Sequence, residues 1–418
     1  MKKILRPKIP ELLAPAGNFE KMVTAIHYGA DAVYMGGKSF SLRARAGNFS
    51  DEKMAEALAY CRSHGVKLYV TLNIFGHNRD LEGLDSYLLT LAELNVDGLI
   101  IADPGILSRA KKLAPQIPIH LSTQANVTNG ASAEFWLNQG VNRLNLAREL
   151  SLEEIREIRT QVSGELEIFV HGALCISYSG RCMLSNYFTG RDANLGGCAH
   201  PCRYSYGLVE EKRPGQVFPV EEDERGTYIF NSKDLCLLER LPELIGAGAD
   251  SLKIEGRMKS IFYVGGVVRI YRAALDHLAS LEDEAWAEVD KIRLPRNFRD
   301  EIEKTGTRGT TENFFVDSPG ADEMIYHETR IVQPCQPVAV IRESGVPPLI
   351  EARNVIETGD EIEYMGYGLE ITPLRVTKMK NEKGEVVQRA NPGNRIHLST
   401  EPPLEDSQVN SILRGRVK

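Results

Sequence analysis

A chain of 418 residues exceeds one small domain, and its 42% apolar and 26% charged residues suit a globular protein with a substantial core. No apolar run approaches bilayer length, and the opening MKKILRPKIPELLAPAG lacks the apolar stretch of a signal peptide, so a cytoplasmic protein with no membrane contact is expected. The formal net charge of −7 argues against nucleic-acid adhesion by bulk charge, while leaving room for a local basic groove.

In chain order, one theme repeats up to residue 260 or so: a short apolar run, then an amphipathic stretch. The runs are Glu11–Gly17, Ala32–Gly36, Lys67–Asn73, Gly98–Asp103, Ile119–Gln124, Arg143–Ala147, Leu166–His171 and Ser251–Glu255. Several are continuously apolar, as suits parallel strands covered on both faces. Helical patterns such as FEKMVTAIHYGA, DEKMAEALAYCRSHG and LEEIREIRTQV lie between them, with Ser50 and Ser151 placed as N-caps. Eight strand–helix units predict an α/β fold, a TIM-type (β/α)₈ barrel; a doubly wound open sheet is the competing arrangement. Asn18, Asn73, Asp103, Gln124, Asn126, Arg148, His171, Lys253, Glu255 and Arg257 stand at or just beyond strand ends. That edge is where barrel active sites assemble, although helix and strand capping competes for part of the set.

After His171 no barrel strand arrives until Ser251, so a cysteine-rich insertion is expected at about 172–236. Within it Glu210–Gly226 is charged and turn-rich, and Thr227–Leu235 reads as a short strand. An acidic helix (SLEDEAWAEVDKI) and a polar segment then complete a first domain, 1–330. Residues 331–418 are predicted as a small antiparallel β-barrel, from PVAVI, LIEARNV, EIEYMG, LEITPLRVTKM and NRIHLS with Gly, Asp and Asn between them. From Arg375 to Arg395, six basic residues (Arg375, Lys378, Lys380, Lys383, Arg389, Arg395) face two acidic ones (Glu382, Glu385). This surplus suits a phosphate-contacting strip or, equally, a solvated hairpin.

Seven cysteines, an odd number, argue against a disulfide framework. Five fall between residues 175 and 236: Cys175, Cys182, Cys198, Cys202 and Cys236. No CxxC knuckle occurs, which weakens zinc-ribbon and thioredoxin-like readings. Irregularly spaced thiolates suit a [4Fe–4S] cluster, with a zinc site and unligated thiols as alternatives. Gly172, Gly180, Gly196 and Gly197 would let backbone pass close to such a group.

The stretch EIFVHGALCISYSGRCMLS meets every specified position of the signature of the collagenase-like, U-type peptidase family, whose catalytic mechanism is unassigned. The resemblance continues through ELLAPAGN, NYFTGRDANLGGCAHPCRY, NSKDL and SLKIEGRMKS. Neither an HExxH helix nor a GxSxG elbow accompanies it, so a peptidase acting on extended chains such as collagen is the alternative reading. A cluster-bearing RNA-binding scaffold is a third. The family includes oxygen-independent hydroxylation proteins with a [4Fe–4S] cluster, and a barrel followed by one small β domain is most similar to the tRNA branch. Related branches act on ribosomal-RNA cytidine or in anaerobic quinone synthesis. The resemblance implies a tRNA uridine hydroxylase forming 5-hydroxyuridine at the wobble position, with prephenate as co-substrate.

Carried over by position, Cys175, Cys182 and Cys198 would ligate the cluster, and either Cys236 or Cys202 would be the fourth ligand. The two carboxylates of prephenate call for cationic forks, and Arg43, Arg45, Arg148 and Arg257 are the candidates, with Lys253 beside them. His171, Lys253 and Glu255 are candidate catalytic groups; an ion pair or a core hydrogen bond is the competing role for each. Tyr178, Tyr187, Phe188 and Tyr204 are aromatics suited to stack a flipped base or to seal a cluster. The partners expected are the tRNA anticodon stem-loop and prephenate; a partner subunit is compatible with this reading.

Overall fold

The computed structural model describes residues 6–37, 40–41, 49–174, 182–191, 193, 198–199, 201, 233–306, 309–316 and 333–417, together with the backbone of short strands between 208 and 232 and at 324–325. Strands β1 (Glu11–Pro15), β2 (Ala32–Gly36), β3 (Lys67–Leu72), β4 (Gly98–Ile101), β5 (Ile119–Leu121), β6 (Arg143–Asn145) and β7 (Glu165–Gly172) run parallel in that order. β8 (Asp234–Cys236) lies antiparallel on the end of β7, and β9 (Ser251–Ile254) pairs parallel with both β7 and β1. That double pairing closes an eight-stranded parallel barrel and excludes the open sheet. β8 also pairs with β10 (Thr310–Thr311).

Helices α1 (Phe19–His27), α2 (Asp51–Ser63), α3 (Leu84–Leu94), α4 (Pro104–Leu113), α5 (Gly130–Asn138), α6 (Leu152–Gln161), α7 (Leu184–Thr189), α8 (Leu241–Gly246), α9 (Ile261–Ser280) and α10 (Arg296–Glu303) follow. The predicted caps are in place. Ser50 accepts from the Lys53 amide, and Ser151 forms a reciprocal capping box with Glu154. Two of the polar strand-end residues are also caps: Asn18 accepts from the Lys21 amide at 2.9 Å and Asp103 from Gly105 at 2.7 Å. The predicted acidic helix is instead a run of 3₁₀ turns, Asp283–Lys291, broken at Glu288. Trp286 is its one buried side chain, too little apolar contact to hold an α-helical register.

The C-terminal barrel comprises β11 (Cys335–Glu343), β12 (Leu349–Ala352), β13 (Glu361–Met365), β14 (Ile371–Asn381), β15 (Val386–Val387), β16 (Arg395–Glu401) and β17 (Ile412–Arg416). Six of them form an antiparallel ring in the order β13-β17-β11-β12-β16-β14, closed by β13–β14 pairing, with β15 attached to β14. Alternate residues such as Ile341, Ile350, Met379, Leu398 and Leu413 fill its core. β17 escapes a periodicity reading because ILRGR is enclosed on both faces, including Arg414.

A buried polar seam joins the two barrels. The Tyr28 hydroxyl on α1 donates to the Met365 carbonyl and accepts from the Ile412 amide, both at 2.9 Å. Glu301 on α10 accepts two bonds from Arg414, at 2.9 and 3.0 Å, and a third at 3.3 Å from Arg269 on α9. Arg269 also donates to the Gly366 and Glu370 carbonyls.

Candidate functional site at the barrel mouth

The run LEIFVH looks continuously apolar, yet it alternates. Leu166 and Ile168 pack outward in the main core while Glu167, also buried, takes the alternate face; a register shift against β9 past Phe169 then turns His171 toward α9. In the lower lumen Arg143 donates to Glu11 at 2.6 Å and to Glu167 at 3.4 Å, and Tyr69 donates to Glu11 at 2.8 Å. Burial would raise the Glu11 carboxyl, but Arg143 and Tyr69 outweigh it and hold the group below its ordinary range. Above them Lys253 donates to Glu167 at 2.7 Å and lies over the rings of Tyr34 and Phe169. Burial depresses the Lys253 ammonium, with Glu167 opposing the shift. Lys253 is thus half of a buried ion pair whose partner is Glu167.

At the mouth, Arg257 is buried and donates to Ser41 at 3.0 Å; Ser41 meets Thr71 at 2.6 Å, and Thr71 donates to the Met35 carbonyl. Gly36 leaves room for this guanidinium, since a Cβ there would fall 2.3 Å from Arg257 Nη2. Arg148 donates to the Ala173 carbonyl at 2.9 Å and lies over the Phe169 ring, bracing the chain where it leaves β7. Glu255 is half-buried, and its amide donates to the His171 carbonyl at 2.8 Å. Gly172 (φ +118°) permits this approach, because a Cβ would lie 2.7 Å from the Glu255 carbonyl oxygen. Arg43 and Arg45 lie outside the described residues.

His171 is fully buried between two tyrosines of α9, with ring centroids 5.8 Å from Tyr263 and 5.5 Å from Tyr271. Its Nδ1 stands 3.4 Å from the Tyr271 hydroxyl, which donates to the Val170 carbonyl at 2.8 Å. No described group hydrogen-bonds its Nε2. Burial lowers this imidazole to about 4, so it is neutral at physiological pH. Cys236 is the cross-strand partner of His171, and its Sγ lies 3.9 Å from the Tyr271 hydroxyl. Burial pushes the Cys236 thiol up to about 11. Beside it, buried Asp234 faces Lys259 at 3.5 Å. Tyr263, Tyr271, Asp234 and Glu167 were not singled out from sequence. The two tyrosines share a helix face at eight-residue spacing, a signal that buried packing residues also give.

Cys182 and Cys198 are partly exposed. The Ala199 amide donates to the Ser185 hydroxyl at 2.9 Å, tying the chain beside Cys198 to the start of α7, just past Cys182. Cys175 and Cys202 lie outside the described residues, as do Tyr178 and Tyr204. Among the described residues, no three His, Cys, Asp or Glu side chains stand within reach of one metal ion. The donors are nonetheless right in kind for an iron–sulfur group: soft thiols, partly exposed or beside the mouth. Cys61 and Cys335 are buried in the core, Cys61 with its Sγ 3.7 Å from Met22 Sδ, and are excluded as ligands. Tyr187 and Phe188 on α7 are exposed. No described helix is long and apolar enough to cross a membrane.

Residues 17–325 match the profile of Peptidase family U32, and residues 335–414 match that of the Peptidase family U32 C-terminal domain. The chain is 40% identical over 392 residues to tRNA hydroxylation protein P1 of Bacillus subtilis (strain 168), covering 93% of this chain and 91% of that protein. It is 36% identical over 450 residues to tRNA hydroxylation protein P of Escherichia coli (strain K12), covering 97% and 96%. The 23S rRNA 5-hydroxycytidine C2501 synthase of the same organism is 37% identical over 312 residues, 75% of this chain and 46% of that protein.

Proposed function

From the premise that the chain belongs to peptidase family U32, we propose that it is a tRNA-modifying hydroxylase that forms 5-hydroxyuridine at the wobble position without O₂. The observation that carries this reading is the likeness to proteins named for tRNA hydroxylation along more than nine-tenths of the chain, both domains included. No side chain supplies an oxygen atom, so the hydroxyl comes from a co-substrate, for which prephenate is our assignment. A [4Fe–4S] cluster on Cys175, Cys182, Cys198 and Cys236 would supply redox chemistry when bound.

This chain's residues bind and orient. Arg257, held by Ser41 at the mouth, offers a guanidinium suited to a carboxylate of prephenate. Arg148, four residues before α6 begins, steadies the end of β7 through the Ala173 carbonyl, next to where the cysteine segment departs. Lys253 and Glu167 keep a charged but neutralised floor beneath the mouth. The exposed rings of Tyr187 and Phe188 suit stacking of an everted base.

Peptidase chemistry at Cys236 is disfavoured by its surroundings. A nucleophilic cysteine needs a depressed pKa and a base within hydrogen-bonding reach. Burial raises this thiol, and its contacts are the Leu238 backbone and the Tyr271 hydroxyl, neither of them a base. The test is nucleoside mass spectrometry of tRNA from a deletion strain grown without oxygen. The 5-hydroxyuridine derivatives should disappear and return on complementation; undiminished levels would overturn the assignment.

A further inference from the structure

The basic strip read from the sequence divides in the structure. Arg389 pairs with Glu357 at 3.4 Å, Lys383 sits in a turn between Glu382 and Glu385, and Arg375 on β14 has Glu361 and Glu401 as its neighbours on the two flanking strands. These three are locally neutralised. Lys378 and Lys380 have no acidic cross-strand partner, and Arg395 has one, Glu351, that it shares with Arg342 and Arg353. Lys378, Lys380 and Arg395 are all exposed, and none has a carboxylate within 4.0 Å among the described residues.

They also share a face. Lys378 and Lys380 are cross-strand partners of Ser399 and His397 on β16, and Arg395 is two residues from His397 on that strand. Ile396, Leu398 and Met379, the alternating residues, point into the core, which places the cations and His397 outward.

The face continues to the rim of the large barrel. Arg395 is the cross-strand partner of Glu351 on β12, and Glu351 binds Arg342 at 2.8 Å and Arg353 at 3.4 Å. Both arginines also bind Glu20, in the first turn of α1. That helix begins where β1 ends, at the mouth. Arg342, Arg353, Glu20 and Glu351 cancel one another's charge, and a surplus of three cations extends from them across β16 and β14. Two strand spacings, roughly 10 Å, separate β12 from β14.

We infer that this outward face of β14 and β16 is the docking surface for the tRNA phosphate backbone, holding the stem while the loop reaches the mouth. The inference rests on the tRNA reading above and deepens it. Charge complementarity is its warrant: a chain of net charge −7 repels a polyanion in general, so a surplus of cations gathered on one face beside the mouth sets where the polyanion sits.

The test uses the full chain and labelled tRNA. The triple variant Lys378→Gln, Lys380→Gln, Arg395→Gln is compared with a control of equal charge change at exposed lysines elsewhere, Lys53→Gln, Lys112→Gln, Lys291→Gln. The strip variant should bind roughly tenfold to a hundredfold more weakly, and its slope of log affinity against log salt should fall by about three. The control should match the unmodified protein. Equal weakening of both variants, or an unchanged slope in the strip variant, overturns the docking surface and leaves the tRNA reading standing. If the unmodified protein itself neither binds nor hydroxylates tRNA, both fall.

Discussion

A thiol that burial drives up to about 11 is protonated at neutral pH and a poor nucleophile, whereas coordination to iron would strip its proton outright. Cys236 is therefore a poor attacking group, and as a ligand it would have to give up its proton to the metal's own charge. Anaerobically prepared protein should carry about four irons per chain, and Cys236→Ala or Cys182→Ala should lose most of them by metal analysis and absorbance. Cys61→Ala should keep its iron, because that side chain packs on Met22 inside the core. Lys253 gives a second prediction at this scale. Replacing it with Met removes the shorter of two ion pairs of Glu167 and leaves that buried carboxylate with Arg143 at 3.4 Å, which should cost about 3 kcal/mol in urea unfolding. A loss under about 1 kcal/mol would mean that Arg143 alone satisfies Glu167. Lys253 was legible as a polar residue in an apolar run. Its partner was not, because Glu167 is flanked by Leu166 and Ile168 and reads as part of one hydrophobic strand.

At the level of elements, the eight barrel strands were legible because each is a short, nearly continuous apolar run. Their observed bounds differ from the reading by a few residues at the ends. What escaped were elements whose stability is tertiary. α10 has one sequence-visible apolar stripe, Phe298 and Ile302, and otherwise depends on Glu301 meeting arginines far along the chain. β17 is short and basic, and becomes a strand only between β11 and β13. The insertion was legible as a break in spacing, and the return strand β8 ties it to the barrel by pairing Leu235 with Gly172 and Cys236 with His171. Gly172 is the element's weak point. At φ +118° with the Glu255 carbonyl so close, Gly172→Ala should destabilise the protein by about 2 kcal/mol or more in thermal or urea unfolding. A neutral outcome would show that the strand end shifts freely.

For the molecule as a whole, the seam between the barrels fixes the basic face relative to the mouth, and its chemistry makes that geometry sensitive to acid. Glu301 is the hub. Burial opposes its ionisation, but Arg414 and Lys304 hold its carboxyl at about 2, so it is ionised in the folded protein and protonates far more readily in the unfolded chain. Its contribution is present above pH 4.5 or so and is lost as pH falls toward 2. His27, on the same seam with its Nε2 2.9 Å from the Ser411 hydroxyl, is lowered by burial to about 4. Between pH 6.5 and 4 the unfolded chain therefore binds protons that the folded protein refuses, at His27 and likewise at His171, and stability falls with pH across that window too. The two windows adjoin, so unfolding free energy should decline from pH 6.5 downward without a plateau. Glu301→Gln takes the buried carboxylate from between Arg269 and Arg414, leaving Arg414 with Glu363 alone, and should cost about 3–5 kcal/mol at pH 7. It should also flatten the pH dependence below 4.5 while leaving the His27 window intact. Urea titrations of both proteins from pH 3 to 8 check this; parallel curves below pH 4.5 would mean that the acid sensitivity there lies elsewhere than in Glu301.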